Sequence, residues 1–359
     1  MTDTKPIRQG EELNEANLAE FLRENLNVKT DAIEILQFPA GSSNLTYCIK
    51  IGADEYVLRR PPFGNQVKSA HDMKREFNVL SRLSKVYQPA PKPLVYCDDE
   101  NVIGSEFYLM ERRNGLIIRG KLSEPSAAAG GLTLENSQDL RKKVVESFIE
   151  NLAILHALDY KKIGLENLGK PEGYAVRQVE GWTKRYFNAQ TDEHFELETA
   201  IEWLGQNIPN SNGATLVHND YKFDNVMLNP NDFTEITAVL DWEMTTVGEP
   251  LMDLGTSLGY WMSADAGAEL LNMPFNPRVL MENISRQELV QIYAEKSGRD
   301  VSEMLFYYVF GTFKIAVIAQ QIYFRFHKGF TNDKRFATFN HFVNALGKIA
   351  LHAIRTEKI

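Results

Sequence analysis

The apolar positions change period along the chain. After a helical opening around Asn17 to Leu26 come three short runs, Asp31 to Phe38, Asn44 to Ile51 and Tyr56 to Arg60. Their wealth of Ile, Val, Tyr and Thr predicts strands, with turns at Pro39, Gly41, Gly52 and Asp54. From Ser69 to Leu83 the period lengthens: Met73, Phe77, Leu80 and Leu83 stand at helical spacing, and Pro89, Pro91 and Pro93 forbid continuation. Two more strands are predicted, Leu94 to Cys97 and Glu106 to Glu111. The order strand, strand, strand, helix, strand, strand closes at Asn114 and Gly115.

Beyond that point the pattern is mostly helical. Ala127 to Gly131 reads as a small-residue loop, and Leu140, Val144, Phe148, Leu152 and Leu155 form one apolar stripe. Helices are predicted near Tyr174 to Phe187 and Phe195 to Leu204. Ser285 with Glu288 has the spacing of a capping box, and Asp300 with Glu303 repeats it before an apolar run, Met304 to Phe324. Lys314, Gln320 and Gln321 interrupt that run, so it reads as a buried helix and no membrane is expected. One compact non-helical stretch, Thr215 to Asp253, lies among these helices.

Composition narrows the classes. With 359 residues, 43% of them hydrophobic, the chain is large enough for two domains, expected at 1–113 and 114–359. A net charge of -9 argues against nucleic acid as a partner. The two cysteines, Cys48 and Cys97, have no metal-ligand spacing, and Met1 to Gly10 is polar rather than leader-like, which together predict a cytoplasmic setting. Oligomeric state has no signature in the pattern.

The chemistry concentrates in Leu216 to Asn225. His218, Asp220, Lys222 and Asn225 fit H-x-D-x-K-x-x-N, the catalytic-loop pattern of kinases, and the apolar Val226 to Leu228 follows. Phosphoryl transfer needs a carboxylate to orient a hydroxyl and take its proton, and oxygen ligands for magnesium. Asp220 suits the first role and Asn225 the second. A further strand, Ile236 to Leu240, delivers Asp241 as the other metal ligand. The bare His-x-Asp-x-x-x-x-Asn spacing arises by chance in roughly one chain in a hundred of this length, so the surrounding strands carry much of the inference. The bland alternative is an Asp- and Asn-rich turn joining two strands.

In the first half, Phe38 to Asn44 sits where a phosphate-cradling loop belongs, with Ser42, Ser43 and Asn44 as ligands beside the backbone, although its single glycine also fits an ordinary hairpin turn. Arg59 shares a strand face with Val57 and is the expected phosphate ligand, while a register error of one residue would exchange it with Arg60. Glu76 is the helix carboxylate placed to pair with that arginine; its alternative is a solvated charge. The strand end at Met110, Glu111 and Arg113 is where an adenine would meet backbone polar groups, with Met110 beside the ring.

His218 to Asn225, Leu240-Asp241-Trp242-Glu243, Gly248-Glu249-Pro250 and Asp253-Leu254-Gly255 together resemble the aminoglycoside phosphotransferase family of small-molecule kinases. Leu58 to Pro62, Pro171 to Tyr174, Gly181-Trp182-Thr183 and Arg335-Phe336 resemble more narrowly the branch found alone in bacteria or fused to acyl-CoA dehydrogenase domains. The resemblance implies an α+β, protein-kinase-like bilobal fold, with a small five-stranded antiparallel sheet lobe that binds nucleotide and a larger helical lobe that carries catalysis and substrate. It implies ATP and Mg2+ as cofactors, Asp220 as base, and Asn225 and Asp241 on the metal; Lys222 departs from the His usual in antibiotic-modifying members and is expected near the transferred phosphoryl, as the same Lys is in many protein kinases. Trp242 and Glu243 after Asp241 depart from Phe-Gly, so no mobile Phe switch is expected. A protein kinase is disfavoured because Gly248 and Pro250 follow Asp241 within ten residues, leaving no peptide-docking segment. The expected partner is a small-molecule hydroxyl acceptor, possible acceptors being a hydroxyacyl-CoA, a hydroxy acid, an aminoglycoside or another amino alcohol; a nucleotide binder that has lost catalysis is the rival class. Trp182, Tyr186, Trp203, Tyr260, Trp261 and Tyr323 are the aromatics expected to wall the acceptor pocket or, more simply, to fill the core.

Overall fold

The computed structural model describes residues 3–26, 33–39, 44–63, 72–119, 133–211, 213–262, 268–271, 278–281 and 284–359. The chain divides into two compact units, Met1–Asn114 with Thr237–Thr245, and Gly115–Ile236 with Thr246–Ile359.

The first unit opens with α1 (Glu15–Leu26), then β1 (Glu34–Gln37), β2 (Leu45–Ile51), β3 (Asp54–Arg60), α2 (Met73–Leu83), β4 (Pro93–Cys97), α3 (Glu100–Ile103) and β5 (Phe107–Glu111). The strands form one five-stranded sheet in the order β1-β2-β3-β5-β4, with neighbours antiparallel. Leu18 and Leu22 of α1 pack on Tyr47, Ile49, Leu58, Phe107 and Leu109, the core of one sheet face. Because β3 is central, alternation sends Arg59 and Arg60 to opposite faces, both buried. Asp72 caps α2 by accepting from the Arg75 N–H at 2.8 Å, so the helix begins at Met73. The short α3, capped by Asp99, has only four residues and no periodicity to announce it.

Residues 237–245 group with this first unit rather than with the chain around them. Val239 N–H donates to the Pro89 carbonyl at 2.8 Å. Arg75 of α2 donates to the carbonyls of Glu243 and Thr245 at 3.0 and 2.6 Å. Trp242, almost fully buried, packs edge-on against Tyr87 with ring centroids 5.9 Å apart.

The second unit contains α4 (Gln138–His156), α5 (Tyr174–Ala189), α6 (Phe195–Gln206), β6 (Thr215–Val217) and β7 (Val226–Asn229), and β8 (Asp232–Val239) leads out of it. After the 237–245 excursion come β9 (Thr246–Gly248), α7 (Pro250–Gly259), the short α8 (Ala268–Leu271) and α9 (Arg278–Met281), α10 (Arg286–Ser297), α11 (Met304–His327) and α12 (Phe339–Thr356). β6 pairs with β9, and β7 with β8. The central α11 packs on α5, α6, α7 and α12. At its crossing with α7 the backbones touch: a Cβ on Gly255 would collide with the Tyr307 carbonyl, and one on Gly311 with the Gly255 carbonyl. α11 is long and apolar enough to cross a membrane, and 78% of its apolar window is buried within the protein.

The capping box at Ser285 and Glu288 is present at α10. The one expected at Asp300 and Glu303 is not. Asp300 instead accepts from the Ser302 N–H at 2.9 Å, closing a turn, and α11 begins at Met304 after Glu303 with no side-chain cap. Asp and Ser two residues apart favour such a local turn over a cap. The small-residue loop Ala127 to Gly131 lies outside the described residues.

Candidate functional site

The first unit assembles a charged cluster on the sheet face beside α2. Arg59 lies 3.3 Å from Glu76 through Nε and donates to Asp241 Oδ1 at 2.9 Å. Glu76 is buried to 2% exposure and also accepts from the Trp242 N–H at 3.2 Å. Burial opposes charge on the Arg59 guanidinium, but Glu76, Tyr108 and Asp241 more than offset it and hold it above its ordinary range. Arg60 faces the other way, donating to the Ile103 carbonyl at 3.0 Å with its guanidinium 3.7 Å over the Phe63 ring. Of the two arginines, therefore, it is Arg59 that meets the carboxylates.

Asp241 follows β8 with φ 66°, a left-handed conformation costly for a residue bearing a Cβ. Beyond it Glu243 accepts from Asn44 Nδ2 at 2.6 Å. Glu243, which in the sequence marks only a departure from Phe-Gly, is thus a further carboxylate of this cluster, two residues after Asp241. Ser42 and Ser43 lie outside the described residues. At the strand end, the Glu111 N–H donates to the Lys92 carbonyl at 2.9 Å, and its carboxylate accepts from Lys92 N–H at 2.7 Å and Arg113 Nε at 2.8 Å. Met110 is buried on the same strand.

The second unit builds the loop from His218 to Asn225. Asp220 Oδ2 and Oδ1 accept from Lys222 Nζ at 2.8 and 3.1 Å, and Oδ1 accepts from the Tyr260 hydroxyl at 3.2 Å. Asn225 Nδ2 donates to the Asp220 carbonyl at 2.9 Å and carboxylate at 3.0 Å. The Lys222 ammonium lies 4.8 Å over the Tyr260 ring. Burial works against its charge, yet Tyr260 and Asp220 hold it above the ordinary lysine range.

The backbone of this loop is gripped from behind. Buried Asp253 on α7 accepts from the N–H groups of His218 and Asn219 at 2.6 and 2.7 Å. His156 Nε2 stands 3.2 Å from the same carboxylate. Burial opposes ionisation of Asp253, but His156, His218 and the backbone donor outweigh it and keep the carboxyl below its usual range. Asn219 itself takes φ 68°. Among the described residues only three other than glycine have positive φ, and two of them, Asn219 and Asp241, stand in these clusters. Of the aromatics, Tyr260 contacts Asp220, Trp182 lies beneath the cations of Arg185 and Lys314, and Tyr186 and Trp261 are core.

Each unit carries a donor of the kind magnesium takes: in the first, the Asp241 carboxylate, and in the second, the amide of Asn225, whose nitrogen is used on Asp220. Hard oxygens few in number suit an ion that keeps phosphate and water ligands. Among the described residues there is no group of three or more His, Cys, Asp and Glu side chains able to hold a metal by themselves.

A five-stranded sheet with an Arg–Glu pair, followed by a helical unit carrying a His-x-Asp loop, defines the fold class of the kinase-like phosphotransferases. The phosphotransferase enzyme family model matches residues 34–274, and the chain belongs to that family. It is 34% identical over 323 residues to acyl-CoA dehydrogenase family member 11 of Pongo abelii, covering 89% of this chain and 40% of that protein. The chain thus spans about two fifths of the length of that curated relative. A Ralstonia eutropha protein named for the aminoglycoside phosphotransferases shares its structure with TM-score 0.78 and 27% identity, over 96% of this chain and 99% of the other. The aminoglycoside phosphotransferase APH(4)-Ia, solved with AMP-PNP and hygromycin B, shares the fold at TM-score 0.59 and 14% identity, over 94% and 98% of the two chains. The α+β, protein-kinase-like bilobal fold expected from the sequence is the fold of the chain.

Proposed function

We propose that the protein is an ATP- and magnesium-dependent kinase that phosphorylates a hydroxyl of a small molecule, a hydroxyacyl-CoA or hydroxy acid. The observation that carries this reading is the Asp220 carboxylate, held at once by Lys222, Tyr260 and Asn225. Magnesium-bound ATP supplies the phosphoryl group with its charge neutralised. Asp220 orients the acceptor hydroxyl and takes its proton as that oxygen bonds to the γ-phosphorus and the bond to the β-phosphate oxygen breaks. Asn225 and Asp241 are the metal ligands, and Arg59, fixed by Glu76, is the phosphate ligand. Asn44, with Ser42 and Ser43, belongs to the phosphate loop. An adenine beside Met110 uses the Glu111 carbonyl rather than its N–H, which Lys92 occupies, together with the backbone of Arg113.

Two features favour an anionic acceptor. Arg185, exposed on α5 and close enough to act on Lys314, supplies positive charge on the Asp220 side of the second unit, which suits a carboxylate or coenzyme A ester better than a polycation. The relative named for acyl-CoA dehydrogenases supports the acyl class. Neither cysteine forms a disulfide, which fits a reducing, cytoplasmic setting. An ATP-consumption assay across 3- and 4-hydroxyacyl-CoA, hydroxy acids, choline, homoserine and kanamycin tests the reading. Turnover with a hydroxyacyl compound is the expected result. Turnover of kanamycin alone overturns the acceptor, and silence on the whole panel counts against the kinase.

A further inference from the structure

Lys314 is the one basic residue in the buried stretch of α11 from Met304 to Gln320, set among Phe313, Ile315, Ala316 and Val317, and is itself 2% exposed. A cation there is costly unless its donors are used. Its Nζ donates to the backbone carbonyl of Asn219 at 2.5 Å. The glycine contact between α7 and α11 explains how it arrives: Gly311 is one turn before Lys314, and Gly255 is two residues after Asp253. The same helix crossing therefore brings Asp253 to the N–H groups of His218 and Asn219 and Lys314 to the Asn219 carbonyl.

The carbonyl that Lys314 holds belongs to the peptide joining Asn219 to Asp220. The N–H of that peptide donates to His218 Nδ1 at 3.2 Å, and the residue before it is in the left-handed region. A peptide so placed can rotate once its carbonyl is released, and the Asp220 side chain departs from the next Cα. We propose that Lys314 is a positioning residue, which fixes the Asn219–Asp220 peptide and thereby aims the Asp220 carboxylate. The inference rests on the reading of Asp220 as base.

Charged groups facing Lys314 are Asp220 and Lys222 from the loop, Asp253 from α7 and Arg185 from α5, with the Trp182 ring 5.6 Å away. Burial outweighs the two carboxylates and lowers Lys314 to about 8. The charged clamp is present below that pH and weakens above it, when the amine becomes neutral.

The test is Lys314→Met, which keeps the stem and removes the donor, assayed with 4-hydroxybutyryl-CoA as acceptor. Turnover is expected to fall by about tenfold to a hundredfold, the scale of a misaimed catalytic group, with the KM for ATP unchanged. Parent turnover should decline as pH rises through about 8, and the variant should lack that limb. Hydrogen exchange across residues 216–223 should quicken in the variant without a comparable change in α12, and the melting temperature should stay within a few degrees. Unchanged turnover with the alkaline limb intact, or unchanged exchange at this loop, overturns the proposal. Should the parent phosphorylate neither this probe nor any other acceptor in the panel, the kinase reading falls, and the exchange measurement alone upholds or overturns the clamp.

Discussion

In the first unit Arg59 is held by side chains, Glu76 from α2 and Asp241 from the segment after β8, whereas in the second unit the Asp220 loop is gripped by its backbone, through Asp253 and Lys314, and only the Asp220 carboxylate by side chains, Lys222, Tyr260 and Asn225. The two constructions fail differently. A buried ion pair loses its compensation when one partner goes, leaving a charge stranded in low dielectric. A loop gripped through peptide groups keeps its shape when an outward side chain is changed, and only its chemistry suffers. Structure and reactivity should therefore separate cleanly in the second unit and not in the first.

The largest effect should come from breaking the side-chain construction. Arg59→Met strands Glu76 and costs about 3–5 kcal/mol of stability, visible as a lower denaturant midpoint. A variant with an unchanged midpoint would show that Glu76 and Asp241 need no cation. Next comes Asp241→Ala, expected to abolish magnesium-dependent ATP binding, whereas Asn225→Ala, which removes only a neutral oxygen, should weaken the metal response. Calorimetric titration with and without magnesium separates the two, and retained magnesium-dependent affinity in Asp241→Ala would remove Asp241 from the metal site. In the second unit Asp220→Asn should lower turnover by about a hundredfold or more while leaving melting and ATP affinity nearly unchanged. Parent-like turnover under saturating acceptor would end its assignment as base.

How far these clusters could be read from the sequence follows the same division. Local signals carried the five strands: β-branched and aromatic runs punctuated by Gly, Pro and Asp end within a few residues of the observed elements. Strand alternation was enough to set Arg59 on the face of Val57, and helical spacing to offer Glu76, since each depends only on its own element. The grip on the Asp220 loop was hidden because its partners are 34 and 95 residues away from Asn219. Asp253 sits in the apolar run Leu251 to Leu258, and Lys314 in a longer one, and a charge inside such a run was the available clue. Lys314 was instead read only as an interruption of a membrane span. The return of residues 237–245 to the first unit was equally out of reach, because its contacts are made with residues remote in sequence, Arg75 lying 168 residues from Glu243 and Tyr87 far from Trp242.

The smallest effect sharpens the contrast most finely. Tyr260 meets the Asp220 system through both its hydroxyl, which donates to Oδ1 at 3.2 Å, and its ring, 4.8 Å beneath the Lys222 ammonium. Tyr260→Phe deletes the first contact and keeps the second. The hydroxyl competes with an incoming alcohol for the same carboxylate oxygen, but it also limits the rotation of that carboxylate. If orientation dominates, losing one hydrogen bond worth about 1 kcal/mol lowers kcat roughly fivefold, with the KM for ATP and the melting temperature unmoved. If competition dominates, kcat holds and the acceptor KM falls. The backbone grip on residues 218–220 predicts the first outcome: with the peptide already fixed, the carboxylate's own rotation is the freedom left to restrain. A fall in ATP affinity would contradict both, since it would tie Tyr260 to nucleotide binding and undo the separation of roles between the two units.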